Sequence, residues 1–152
     1  MLKRLLFVFV ALALLAQVIR PAKNSAATSE GPDSLAERLQ APPQVRQVLA
    51  TACYDCHSNR TRYPWYAEIQ PSGWFLAYHV KQGKEALNLS TFGRLGARTQ
   101  AKRLRYMVDE MTEREMPLKS YTLMHRDAVL TDEQIRTFTD WAEPIITRLG
   151  RD

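Results

Sequence analysis

The chain opens on an apolar run from Leu2 to Ile19, broken only by Lys3, Arg4 and Gln17 and closed by Arg20-Pro21. As a helix that stretch would extend about 27 Å, slightly short of the roughly 30 Å hydrocarbon core of a bilayer, a gap that snorkelling Lys and Arg ends can cover. Two readings compete for residues 1–23, a retained signal-anchor and a cleaved signal segment. The small-residue pattern Ala11-Leu12-Ala13 falls inside the apolar run instead of after it, and Ala26-Ala27 has no matching partner, so the retained anchor is favoured.

Residues 24–42 are rich in Ser, Ala, Pro and Glu without a sustained apolar period, and read as a flexible linker. Pro42-Pro43 then starts a helical pattern with Val45, Val48, Leu49 and Ala52 on one face, running directly into Cys53. A second helix is predicted from Pro71-Ser72 to about Gly83, carrying Trp74, Phe75, Tyr78 and His79. A third, roughly Thr99 to Met111, aligns Leu104, Met107, Val108 and Met111 on one stripe. Thr131-Asp132-Glu133-Gln134 is a capping box, followed by Ile135, Phe138, Trp141, Ala142 and Ile145 at helical spacing, with Pro144 expected to kink or end that helix. No stretch alternates with period two, so the fold class is all-α, with one domain over 43–152.

The formal charge of +5 does not mark a nucleic-acid binder. Four of the 21 Lys and Arg are Lys3, Arg4, Arg20 and Lys23 beside the apolar run, which leaves 17 against 16 acidic residues in the remainder. Arg94, Arg98, Lys102, Arg103 and Arg105 cluster as a solvated helix face, with a docking patch for an acidic redox partner or anionic lipid as the other reading.

The only two cysteines fall in Cys53-Tyr54-Asp55-Cys56-His57, the C-x-x-C-H spacing of covalent c-type haem attachment. On a helix, residues three and four apart share a face, so both sulfurs and the imidazole can address one ring, with His57 as an iron ligand. A thioredoxin-like dithiol would want a βαβ setting, and a zinc site would want a second ligand pair; neither pattern is visible. One motif and no internal repeat predict one haem c, with its iron, per chain.

The second axial ligand is open between several residues. Met116 leads, because Pro117 holds it extended and the segment lies between the third and fourth helical patterns. Leu130-Thr131-Asp132-Glu133-Gln134-Ile135 after it resembles the start of the last helix of class I cytochromes c. His79 is the rival, giving bis-His ligation, and otherwise packs as a hydrogen-bonded core residue. His125 could approach a haem edge, while Met107, Met111 and Met124 read as packing residues. Arg60, Arg62 and Trp65, beside Tyr63-Pro64-Trp65-Tyr66, are candidates for hydrogen bonds to haem propionates.

The motif followed by Asn59, Thr61 and Tyr63-Pro64-Trp65-Tyr66, then Pro71, Trp74, His79, Gly83 and Leu87-Asn88, resembles the bacterial haem-binding domain family. The likeness runs from the apolar segment, whose Ile19-Arg20-Pro21 stop it includes, to Trp141. Phe92 stands where the family has Trp, and Leu118 where a second proline often follows Met-Pro. The resemblance implies a small, exported, single-haem protein with a cytochrome c-like helical domain. The function expected is a monohaem c-type cytochrome that passes single electrons to redox partner proteins at the membrane. Its place would be the bacterial inner membrane, single-pass, with the haem domain facing the periplasm, or the soluble periplasm if the signal is cleaved. The alternative is a haem-based enzyme or a gas or peroxide sensor with an open sixth site, in which His79 with Arg60 or Arg62 could act.

Overall fold

A computed structural model describes residues 1–151. Among them the α-helices follow in the order α1 (Leu2–Ala16), α2 (Leu35–Arg38), α3 (Pro43–Ala52), α4 (Tyr54–His57), α5 (Ser72–Ala86), α6 (Ala97–Thr112), α7 (Lys119–Met124) and α8 (Asp132–Leu149). Tight 3-10 turns at Trp65–Glu68, Leu89–Arg94 and Arg126–Ala128 join them. The described residues contain no strand, only an isolated bridge between Ser25 and Arg60, so the all-α class holds.

The core is built where the amphipathic stripes of α6 and α8 meet and α3 lies across α8. Leu104, Val108 and Met111 from α6 pack with Phe138, Ala142, Ile145 and Ile146 from α8 and with Val45, Val48 and Leu49 from α3. The helix α8 starts as the sequence predicts: Thr131 Oγ1 accepts from the Gln134 amide at 3.2 Å while Gln134 Oε1 accepts from the Thr131 amide at 2.9 Å. It does not stop at Pro144. Pro144 lies on the exposed side, and buried Ile145 and Ile146 hold the last turns on the core.

The linker expected over 24–42 is instead a packed strap. Leu35, Ala36 and Ser34 are fully buried, and Ser34 caps α2 by accepting from the Glu37 amide. The Gly93 amide donates to the Asp33 carbonyl at 2.8 Å, and Arg94 pairs with the Asp33 carboxylate at the same distance. At the start of the strap, the Asn24 side-chain amide donates to the Ser58 carbonyl and to Thr61 Oγ1. A stretch that satisfies its polar groups on the domain and buries Leu35 in its centre has no freedom to act as a spacer.

The first apolar segment also differs from expectation. The helix α1 ends at Ala16, about 22 Å long, and among the described residues no helix is long and apolar enough to cross a membrane. Beyond Ala16 the amides of Gln17, Val18 and Ile19 bond three residues back in tighter turns, and the Gln17 side chain donates to the Ala13 carbonyl at 2.9 Å and exchanges hydrogen bonds with the Gln70 backbone. No residue of α1 is buried.

Leu35→Ala is expected to destabilise the domain by about 2–5 kcal/mol, the range for emptying a buried leucine site. A flexible spacer would tolerate the change within about 0.5 kcal/mol. Urea unfolding of the two proteins distinguishes these outcomes.

Candidate haem site

The motif occupies the junction of two helices. The helix α3 ends at Ala52, Cys53 breaks it with φ −120° and ψ −44°, and α4 restarts with the Cys53 carbonyl accepting from the His57 amide at 2.9 Å. The attachment segment is therefore its own helical turn instead of the continuation of the first helix.

Beside this turn lies a cavity of about 610 Å³, within the roughly 300–1,000 Å³ of small-ligand and cofactor sites. Cys53 and His57 line it from one side, with Leu87 and Leu89 next to them. Helix α6 supplies the opposite wall through Tyr106, Met107 and Met111, with Thr99, Lys102, Arg103 and Glu110 along its polar edge. Met116, Pro117 and Leu130 close the remainder. Three of the four residues expected at the site thus converge, Cys53, His57 and Met116. Cys56 lies on the same turn, but is not part of the lining.

The imidazole of His57 is held for ligation. Its Nδ1 lies 3.1 Å from the Leu87 carbonyl, which can only accept, so Nδ1 carries the proton and Nε2 keeps its lone pair. Burial lowers the His57 pKa and keeps the ring neutral, against the opposing pull of the Leu87 and Gly83 carbonyls. Both cysteines are free thiols. Desolvation, then the neighbouring Cys56, pushes Cys53 up to about 12; desolvation, then the Asp55 carboxylate, pushes Cys56 up to about 11. The reactive thiols of dithiol oxidoreductases shift in the opposite direction. Nor do three His, Cys, Asp or Glu side chains gather as a metal cage among the described residues.

The two residues between the cysteines fasten the turn. Tyr54 donates to Glu30 of the strap at 2.7 Å, and Glu30 pairs with Arg46 of α3 at 2.6 Å. Burial, then that hydrogen bond, raises the Tyr54 pKa and keeps its hydroxyl protonated. Asp55 is buried and accepts from the Arg62 amide at 2.9 Å, from the Arg62 guanidinium at 3.1 and 3.2 Å, and from the Tyr121 hydroxyl at 2.6 Å. Tyr121 belongs to α7, which follows the Met116 loop directly. That loop is pinned at its other end by Arg114, whose φ of 62° ends α6 and whose guanidinium donates to the Leu130 carbonyl and pairs with Asp132. Residues up to 66 positions apart therefore fix Met116 relative to His57.

The other candidates sit elsewhere. His79 lies on α5 with Nδ1 on the Phe75 carbonyl and its ring against Phe75, outside the cavity. His125 bonds the Tyr66 hydroxyl at 2.7 Å and stacks on Tyr121 at 4.4 Å. Arg62 is committed to Asp55, Arg60 to the Ala27 carbonyl, and Trp65 points to solvent. The cations that reach the cavity are Lys102 and Arg103, members of the basic cluster noted in the sequence; neither forms an ion pair among the described residues, while Arg94 and Arg105 do. Their helical phase with Met107 was the available signal.

A largely apolar cavity of this size, with one neutral imidazole, a free thiol, thioethers and two cations at its edge, fits haem by its donor set. The comparison with known families agrees. The family model described as "Haem-binding domain" matches residues 11–144, and the chain belongs to that family. No curated protein and no solved structure matches it.

Gly83 of α5 lies against the motif, where a Cβ would come within 2.6 Å of the Cys56 carbonyl oxygen. Gly→Ala inside a helix ordinarily stabilises by about 0.5–1 kcal/mol. Gly83→Ala is expected to do the opposite, lowering the urea midpoint, because backbone atoms of Cys56 would have to move.

Proposed function

We propose that this haem-binding domain is a c-type cytochrome that holds one haem through thioethers from Cys53 and Cys56 and passes single electrons. The observation that carries the reading is the meeting of Cys53, His57 and Met116 on one cavity, with Nε2 of His57 left free by the Leu87 carbonyl. Bound there, haem iron would supply one-electron redox chemistry. The protein's own groups act around it. Leu87 orients the imidazole, the Arg114 and Tyr121 anchors hold the Met116 thioether, and Leu87, Leu89 and Leu130 exclude water. Lys102 and Arg103 offset the negative charge of the propionates.

Electron carriage is favoured over an enzyme or sensor because the Met116 thioether lines the cavity together with His57, and His79, Arg60 and Arg62, the residues expected to act at an open sixth site, lie outside it. The apolar α1, with no buried residue and with Lys3 and Arg4 at its start, supports an exported domain held at the inner membrane on the periplasmic side, where it would meet its redox partners.

Protein matured with a cytochrome c biogenesis system is expected to retain haem on a denaturing gel, and Cys53→Ala with Cys56→Ala to leave it extractable. Wild-type protein without covalent haem would end the proposal. In the loaded protein, Met116→Ala is expected to lose the ferric sulfur-to-iron charge-transfer band, lower the potential and admit carbon monoxide to the ferrous iron. Met107→Ala and His79→Ala are expected to leave all three unchanged. Rapid carbon monoxide binding by the wild type would instead support a sensor or enzyme. Removing both cations by Lys102→Gln and Arg103→Gln is expected to lower the potential in a redox titration, since ferric haem carries the extra positive charge.

A further inference from the structure

A group of large apolar side chains around the exit of α1 belongs neither to the core nor to the cavity. Trp65 is 72% exposed, Tyr78 60%, Phe75 55% and Ile69 49%. Monomeric soluble proteins do not gather such residues on one surface without a use for them. His79 packs at a tilt against Phe75 with ring centroids 4.2 Å apart and meets Tyr78 edge-on at 5.5 Å, so the three rings form one cluster.

The chain leaving α1 is fastened to this same surface. Gln17 exchanges hydrogen bonds with the Gln70 backbone, and Trp74 Nε1 donates to the Ile19 carbonyl at 2.8 Å. Arg20 and Lys23 both pair with Glu68, and the Asn24 amide donates to the Tyr63 hydroxyl at 2.7 Å. Residues 17–24 therefore run along the 63–74 segment, and the packed strap beyond them allows no slack.

We propose that Trp65, Ile69, Phe75 and Tyr78 form a bilayer-contact face that seats the haem domain on the lipid surface where α1 enters it. The proposal rests on reading α1 as the membrane-inserting segment, and adds the orientation of the domain. Three observations select lipid as the occupant. The segment that carries it is tied at Gln70 and Trp74 to the exit of α1, a helix with no buried residue. Its residues are Trp and Tyr with two apolar neighbours, and Trp and Tyr rings favour the headgroup level, apolar body inward and polar tip in water. Glu68 offsets one of the two charges of the nearby cations Arg20 and Lys23, which leaves a single positive charge, so contact is driven mainly by apolar insertion.

The test uses the full-length holoprotein in phosphatidylcholine vesicles containing a phospholipid with a diazirine near its headgroup, with adducts located by peptide mass spectrometry after illumination. Adducts are expected on α1 and on the 65–78 segment, unchanged in high salt, and not at Tyr106, which is 49% exposed on α6. The combined variant Trp65→Ser, Phe75→Ser and Tyr78→Ser is expected to reduce 65–78 labelling several-fold while α1 labels as before. Adducts confined to α1 would overturn the seated face and leave the membrane reading standing; adducts on neither segment would overturn both. Copy-to-copy cross-links through Trp65 or Tyr78 without lipid adducts there would overturn the proposal in favour of self-association.

Discussion

The buried carboxylate of Asp55 is the constraint on which the site depends. A charge taken out of water is costly unless its oxygens are occupied, and here the Arg62 amide, the Arg62 guanidinium and the Tyr121 hydroxyl occupy them. That need for partners draws three distant pieces of chain together: the turn carrying the cysteines, the loop leading to Tyr66, and α7 beyond Met116. Desolvation, then the hydrogen bond to Asp55, raises the Tyr121 pKa, so the hydroxyl stays a donor to the carboxylate. On the other side of the same turn, Tyr54 performs the corresponding task toward Glu30 and Arg46. The two residues that a C-x-x-C-H pattern leaves unspecified are thus the ones that fasten the motif to the protein.

What could be read from the sequence was local. The motif is a matter of spacing, the Thr131 cap of four consecutive residues, and the α6 stripe of one period; each appears in the fold where its pattern places it. The strap could not be read, because Leu35, Ala36, Leu39 and Ala41 are too few to establish a period and are buried only by partners at Leu89–Arg94 and on α3. The short turns at Trp65–Glu68 and Leu89–Arg94 escaped for the same reason. Pro144 does not end α8, because buried Ile145 and Ile146 hold the last turns on the core, a tertiary contact that no local pattern reveals.

The site was legible to the same extent. Nearness in sequence suggested Arg60, Arg62 and Trp65 as neighbours of the cofactor, yet packing turns them to Ala27, Asp55 and solvent. The cavity wall comes from α6, some fifty residues later, brought there by its contacts with α8. Met116 lies on the cavity as the Met-Pro pattern suggested, but Met107 and Met111, whose spacing reads as packing, share it. Distinguishing them depends on the anchoring of the loop by Arg114 and Tyr121, a tertiary fact.

On the proposed reading, the packed strap limits how the domain can meet a redox partner. A flexible linker of the length of residues 24–42 would let a domain wander about 24 Å from its anchor point, so its redox centre could search for partners at many heights. With Asn24 bonded to Ser58 and Thr61, and Leu35 in the core, residues 24–42 have no such freedom. On the proposed reading the cavity then sits at a set height above the bilayer and meets partners by lateral diffusion in the membrane plane. Electron exchange would be confined to proteins whose redox centres lie at the matching height. The ion pairs of Arg20 and Lys23 with Glu68 belong to the same arrangement, since they hold the first residues after α1 against the domain.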